Sequence, residues 1–182
     1  MAEIAITDYI QMLENSHLFK SNEQVAELFA QWKSEDTEHY PENVVAFSDW
    51  LVLHEYLTRW QADNILAGKY KGFFLGSYKL LRTIGVGGMS SVYLAYHDLL
   101  KRQVAIKVLP KSRISGETSY LERFLQEARA VAQLDHPNIV RAYDIDNENN
   151  TVYYFVMEFV DGIDLYSLVR NNGPLDIYKA AQ

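Results

Sequence analysis

Cysteine does not occur among the 182 residues. Its absence excludes disulfides and thiolate-ligated metals and fits a reducing compartment, so a cytoplasmic setting is expected. Long hydrophobic runs are missing too: the longest strongly apolar stretch, VYYFVMEFV at 152–160, falls far short of the ~20 residues that a membrane-crossing helix needs. The opening MAEIAITDYIQMLENSHLF carries acidic residues early and lacks the basic, apolar and small-residue succession of a secretory signal. A soluble chain is therefore expected. Internal repeats and low-complexity tracts are absent, as is any excess of positive charge. The formal net charge is −7, and it is unevenly placed. Residues 1–72 hold 5 Lys and Arg against 12 Asp and Glu, whereas residues 73–182 hold 12 of each. That asymmetry divides the chain into two units and speaks against nonspecific binding to nucleic acid or anionic membranes.

What is present begins with helical periodicity. Ser21 with Gln24 three positions on makes a capping box, after which Val25, Leu28, Phe29 and Trp32 follow at i, i+3, i+4 and i+7. Thr58 and Gln61 repeat the box, and Gly68 stands where a helix-stopping residue belongs. Between them a helix is expected from Pro41 to about Tyr56, and an earlier one over about Thr7–Leu18. Four short helices form a small bundle with a core that is marginal by size. Trp32, Trp50 and Trp60 are expected inside it, and Glu35-Asp36-Thr37-Glu38 reads as a solvated loop.

From Phe73 the period changes. SYKLLRTIG (77–85), SVYLAYHD (91–98), RQVAIKVL (102–109), IVRAYDI (139–145) and TVYYFVMEF (151–159) are short β-branched and aromatic runs bounded by turn residues, which predicts five strands. One helix, about Tyr120–Leu134, separates the third from the fourth.

Three glycines crowd into IGVGGMSSVY at 84–93. A dinucleotide fingerprint needs a helix after its glycines, but a strand follows here and Ser90 holds the third glycine position. A Walker loop needs Gly-Lys-Ser/Thr, which is also absent. What remains is a glycine-rich hairpin, in which Gly85, Gly87 and Gly88 leave backbone N–H groups open to an anion. By itself this is most simply a hairpin. In VAIK at 104–107, strand alternation puts Ala105 and Lys107 on one face, where Lys107 is either an edge lysine reaching water or a fixed cation beside the cradle. The helix adds a second anomaly. Glu127 falls within the stripe of Phe124, Ala128, Val131 and Leu134, and a buried carboxylate needs a partner, for which Lys107 is the best candidate.

A glycine-rich loop, a lysine in VAIK, a helix glutamate and an apolar strand, in this order, resemble the N-lobe of a protein kinase. The wording GGMSSVY, HPNIV at 136–140 and VMEFVDGIDL at 156–165 is similar to bacterial serine/threonine kinases of the eukaryotic-like type. The resemblance covers about residues 76–182 and implies an α+β architecture. Residues 1–72 make an all-α helical module, residues 73–160 an N-lobe of a five-stranded antiparallel sheet plus one helix, and residues 161–182 the beginning of a helical C-lobe. A short linker is expected near Lys69–Gly76.

For the site, the resemblance implies that Ile84, Gly85, Val86, Gly87, Gly88, Met89, Ser90 and Ser91 cover the ATP phosphates, with Val92 and Ala105 against adenine. It implies that Lys107 meets the α- and β-phosphates while paired with Glu127. Met157 takes the gatekeeper position, the backbones of Glu158 and Val160 meet the adenine edge, and Asp164 reaches ribose. On the residues alone, Met157 is equally plain core and Asp164 equally a helix cap. Ser90 is a variant of the general glycine pattern. The family's His-Arg-Asp catalytic loop and Asp-Phe-Gly metal site would follow residue 182, so Mg²⁺ is expected only with the missing C-lobe, and no metal site is expected here. Asp135-His136-Pro137 precedes the last strand and lacks the arginine of that loop. The implied partners are ATP, protein substrates of the whole enzyme and a protein partner for the helical module. The rival reading is a noncatalytic regulatory or interaction module, or part of a pseudokinase.

Overall fold

A computed structural model describes residues 4–35, 43–88, 90–110, 112 and 118–180. Four helices come first: α1 (Ile6–Asn15), α2 (Asn22–Glu35), α3 (Val44–Leu53) and α4 (Arg59–Leu66). Their ends follow local chemistry. Asn43 caps α3 by accepting from the Val45 and Ala46 N–H groups at 3.0 and 3.1 Å, whereas Pro41, the expected start, lies outside the described residues. Thr58 and Gln61 form a complete capping box at the start of α4. At its end, Gly68 takes φ +78°, and the N–H groups of Gly68 and Lys69 bond the Ile65 and Asn64 carbonyls, both at 2.8 Å. That is the paired closure which a left-handed glycine permits. The box at Ser21 is altered: its hydroxyl accepts from Gln24 N–H, but the Gln24 side chain reaches back to Lys20 N–H.

The helical core is aromatic. Phe47 is fully buried and meets the rings of Tyr9, Phe29, Trp32 and Trp50 at centroid distances of 5.0–6.3 Å. Burial pushes the Tyr9 phenol up to about 12, partly offset by the nearby Ser48 hydroxyl, although neither hydroxyl completes a hydrogen bond of normal geometry. Trp32 and Trp50 are buried as expected, but Trp60 is half-buried. It packs edge-on against Phe73 and Tyr93, because α4 faces the sheet as well as the other helices. Glu35 ends α2, and its carboxylate accepts from the Trp50 indole N–H at 2.8 Å; residues 36–38 are not among those described.

The second part is a six-stranded antiparallel sheet with the order β1-β2-β3-β4-β6-β5: β1 (Phe74–Leu75), β2 (Tyr78–Val86), β3 (Ser91–His97), β4 (Arg102–Leu109), β5 (Ala142–Glu148) and β6 (Val152–Glu158). The sequence predicts five strands. The sixth, β1, has two residues and so carries no alternation to read. Within 69–76, the expected linker, Phe73 is buried in the helical core and Phe74–Leu75 join the sheet. Gly76 turns the chain at φ +52°, where an added Cβ would lie 2.8 Å from the Tyr154 hydroxyl, so any other residue would be strained and would displace the buried Tyr154 side chain. At the far hairpin Asn149 and Asn150 both adopt positive φ, which asparagine tolerates better than most residues.

Both faces of the sheet are covered, which is why β4 is buried almost continuously. Val104, Ile106 and Val108 join Leu80, Ala95, Tyr154 and Val156 on one face, against which Trp60 packs. Leu109 and Phe155 lie on the other with Phe124 and Ala128 of helix α5 (Thr118–Ala132). Beyond β6 follow α6 (Leu165–Asn172) and α7 (Ile177–Ala180), neither with a buried residue. Among the described residues no helix is long and apolar enough to cross a membrane.

Candidate functional site

The strand register aligns the candidate residues in rows. Gly85 stands opposite Val92, Val92 opposite Lys107, and Lys107 opposite Phe155. A neighbouring row runs from Leu94 through Ala105 to Met157. Directly paired residues share a face, so Val92, Ala105, Lys107 and Met157 all project on the α5 side, opposite the face that receives Trp60. Ala105 is buried and Met157 half-buried against the α5 cluster.

Lys107 forms an ion pair with Glu127, joining the middle of the sheet to α5. The lysine side chain is 22% exposed and the carboxylate 56%. The expectation of a carboxylate on a buried face is thereby corrected. Leu121, Phe124, Leu125, Ala128 and Val131 form the packed stripe, Leu134 is exposed, and Glu127 flanks the stripe. A pair this open contributes at most about 1 kcal/mol to stability. Its evident effect is geometric, since it fixes where the ammonium lies.

The hairpin above Lys107 closes with Gly87 N–H donating to the Ser90 carbonyl at 2.8 Å. Val86 is 80% exposed at its tip, and Ile84, Ser90 and Ser91 are half-buried; Met89 lies outside the described residues. Gly88 has no positive φ and nothing within 4 Å of an added Cβ, and at Gly87 the nearest atom is the Ser90 carbonyl oxygen at 3.3 Å. The fold alone therefore does not demand glycine at 88. What glycine offers there is unobstructed access from outside to backbone N–H groups, as an anion requires.

At the end of β6 the Glu158 N–H donates to the Arg141 carbonyl at 2.9 Å, and the Glu158 carboxylate accepts from the Arg141 N–H at 3.3 Å. Val160 is exposed. Asp164 caps α6, accepting from the Ser167 N–H and hydroxyl at 2.7 and 2.8 Å, and the Ser167 bonds hold its carboxyl below the usual range. The cap that its sequence position allows is thus formed. Phe155 stands directly across from Lys107, and an aromatic in an apolar strand gives no signal of its own in the sequence. Among the described residues no group of three or more His, Asp or Glu side chains could hold a metal ion.

Comparison with known proteins adds an independent finding. The family model described as protein kinase domain matches residues 78–182. The chain is 46% identical over 100 residues to the serine/threonine-protein kinase PrkC of Bacillus subtilis, covering 55% of this chain and 15% of that protein. It is 44% identical over 122 residues to PksC of Streptomyces coelicolor, covering 62% and 22%. It is 42% identical over 108 residues to PknB of Mycolicibacterium smegmatis, covering 58% and 17%. The aligned segment thus spans less than a quarter of each of these relatives.

Proposed function

The chain belongs to the protein kinase domain family, and on that premise we propose that β2–β6 with α5 are the ATP-holding part of a serine/threonine protein kinase. The observation that carries this reading is the placement of Lys107, anchored by Glu127 on the sheet face that also presents Val92 and Ala105, beneath a hairpin whose Gly88 the fold does not require. In this reading the hairpin N–H groups and the Lys107 ammonium hold the phosphates, while Val92, Ala105 and Met157 give adenine an apolar wall. Glu158 and Val160 supply backbone groups to its edge, and Asp164 reaches ribose from its capping position.

The reaction is attack of a protein Ser or Thr hydroxyl oxygen on the γ-phosphorus of ATP. The bond from the γ-phosphorus to its bridging oxygen breaks, ADP leaves, and the hydroxyl proton passes to a base. The part assigned to these residues is positioning: fixed dipoles and one cation hold the phosphates where in-line transfer can occur. By the family pattern, we assign the Mg²⁺ ligands and the catalytic base to kinase-domain residues outside this stretch, and the helical module to a protein partner. The test is transfer of label from γ-³²P-ATP to a general protein substrate, followed by phosphoamino-acid analysis. The full-length protein is expected to yield phosphoserine or phosphothreonine and the 182-residue chain to yield none. Turnover by the short chain, or none by the long one, contradicts the assignment.

A further inference from the structure

The capping box of α4 is used twice. Within the helix, the Thr58 N–H donates to the Gln61 side-chain oxygen at 2.9 Å and the Gln61 N–H to the Thr58 hydroxyl at 3.2 Å. Each side chain has a donor left over, and both are spent on β2. The Thr58 hydroxyl donates to the Leu81 carbonyl at 2.6 Å, and the Gln61 side-chain amide to the Leu80 carbonyl at 2.7 Å. Gln61 is only 2% exposed.

The target carbonyls sit where the sheet cannot satisfy them. Strand β1 pairs only with Tyr78 and Lys79. The register between β2 and β3 slips between Leu80 and Arg82, leaving Leu81 without an opposite residue. An unpaired, inward-turned carbonyl is costly, so its partner is held firmly. A second slip lies between Thr83 and Gly85, at the base of the glycine-rich hairpin. A bulge redirects the strand that contains it. The clamp on the first bulge therefore fixes the direction from which β2 enters the second, and with it the hairpin above Lys107.

We propose that Thr58 and Gln61 are positioning residues of the nucleotide site, making residues 1–72 part of its scaffold; this rests on the nucleotide reading above. Glutamate at 61 and aspartate at 58 separate the two uses of the box. Either can still accept a cap bond at a helix start, where negative charge is favourable, but neither has a donor for β2. In the 182-residue chain without nucleotide, Gln61→Glu and Thr58→Asp should speed amide exchange at residues 82–91 by about tenfold or more, as loss of a buried bond implies. Exchange in α1–α3 and β4–β6 should stay unchanged, and Thr58→Ser should behave as wild type. The affinity of Gln61→Glu for a fluorescent ATP analogue should fall about three- to tenfold. Wild-type exchange at 82–91, uniform acceleration along the whole chain, or faster exchange with unchanged affinity would each overturn the proposal. Failure of the wild-type chain to bind the analogue defeats the nucleotide reading instead, while the exchange data still judge the clamp.

Discussion

Replacing Lys107 by methionine in the full-length protein is expected to lower phosphotransfer by a factor of about 100 or more, the loss typical when one preorganised electrostatic contact to a reacting group is removed. Thermal stability should hardly change. The methylene stem survives the substitution, and the lost ion pair has a carboxylate partner that is 56% exposed, so its share of stability is at most about 1 kcal/mol. A large fall in rate with an unchanged circular-dichroism spectrum and unfolding midpoint is the signature of a positioned cation. Retained activity would show that Lys107 does not meet the phosphates. A parallel collapse of fold would show that its role is packing. Glu127→Gln should give a smaller loss, because it weakens the anchor and leaves the charge itself in place.

The second large effect concerns stability. Phe47→Ala should cost about 3–5 kcal/mol, the range for deleting a buried aromatic, because Phe47 is fully enclosed by Tyr9, Phe29, Trp32 and Trp50. Whole small domains are stable by about 5–15 kcal/mol, and a four-helix module of this size stands near the lower end. Urea unfolding followed by tryptophan fluorescence reads the change, since Trp32 and Trp50 both lie in this cluster. The emission midpoint should fall sharply, and amides of residues 82–91 should exchange faster once α4 loses its support. An unchanged midpoint would mean that the ring cluster is not what holds the helices together.

Much of this was legible in the sequence because it rests on local patterns. The alternation in RQVAIKVL marks a strand, and β4 spans Arg102–Leu109. Thr58 with Gln61 announces a capping box, and the box is complete. Gly68 announces a helix stop and adopts the left-handed conformation that makes one. What escaped depends on residues distant in the chain. The leftover donors of the box find the Leu80 and Leu81 carbonyls only because β1 pairs no further than Lys79 and a bulge leaves Leu81 without an opposite residue, and bulges have no period. In the sequence Glu127 stands as a carboxylate in an apolar stripe. It does meet Lys107, yet from the stripe's margin, since helix spacing gives angular position but not what covers that side. Asp164 could cap or reach a ligand from sequence alone, and the Ser167 bonds fill the cap. β1 was invisible because two residues cannot alternate.

If the α5-side face of the sheet beneath the glycine-rich hairpin holds ATP, titrating ATP into the isotope-labelled 182-residue chain should move backbone amide resonances at residues 85–92, at Ala105 and Lys107, and at 157–160, with α1–α3 unmoved and the response much reduced in Lys107→Met. No shifts at saturating ATP, or shifts confined to the helical module, would contradict ATP binding there.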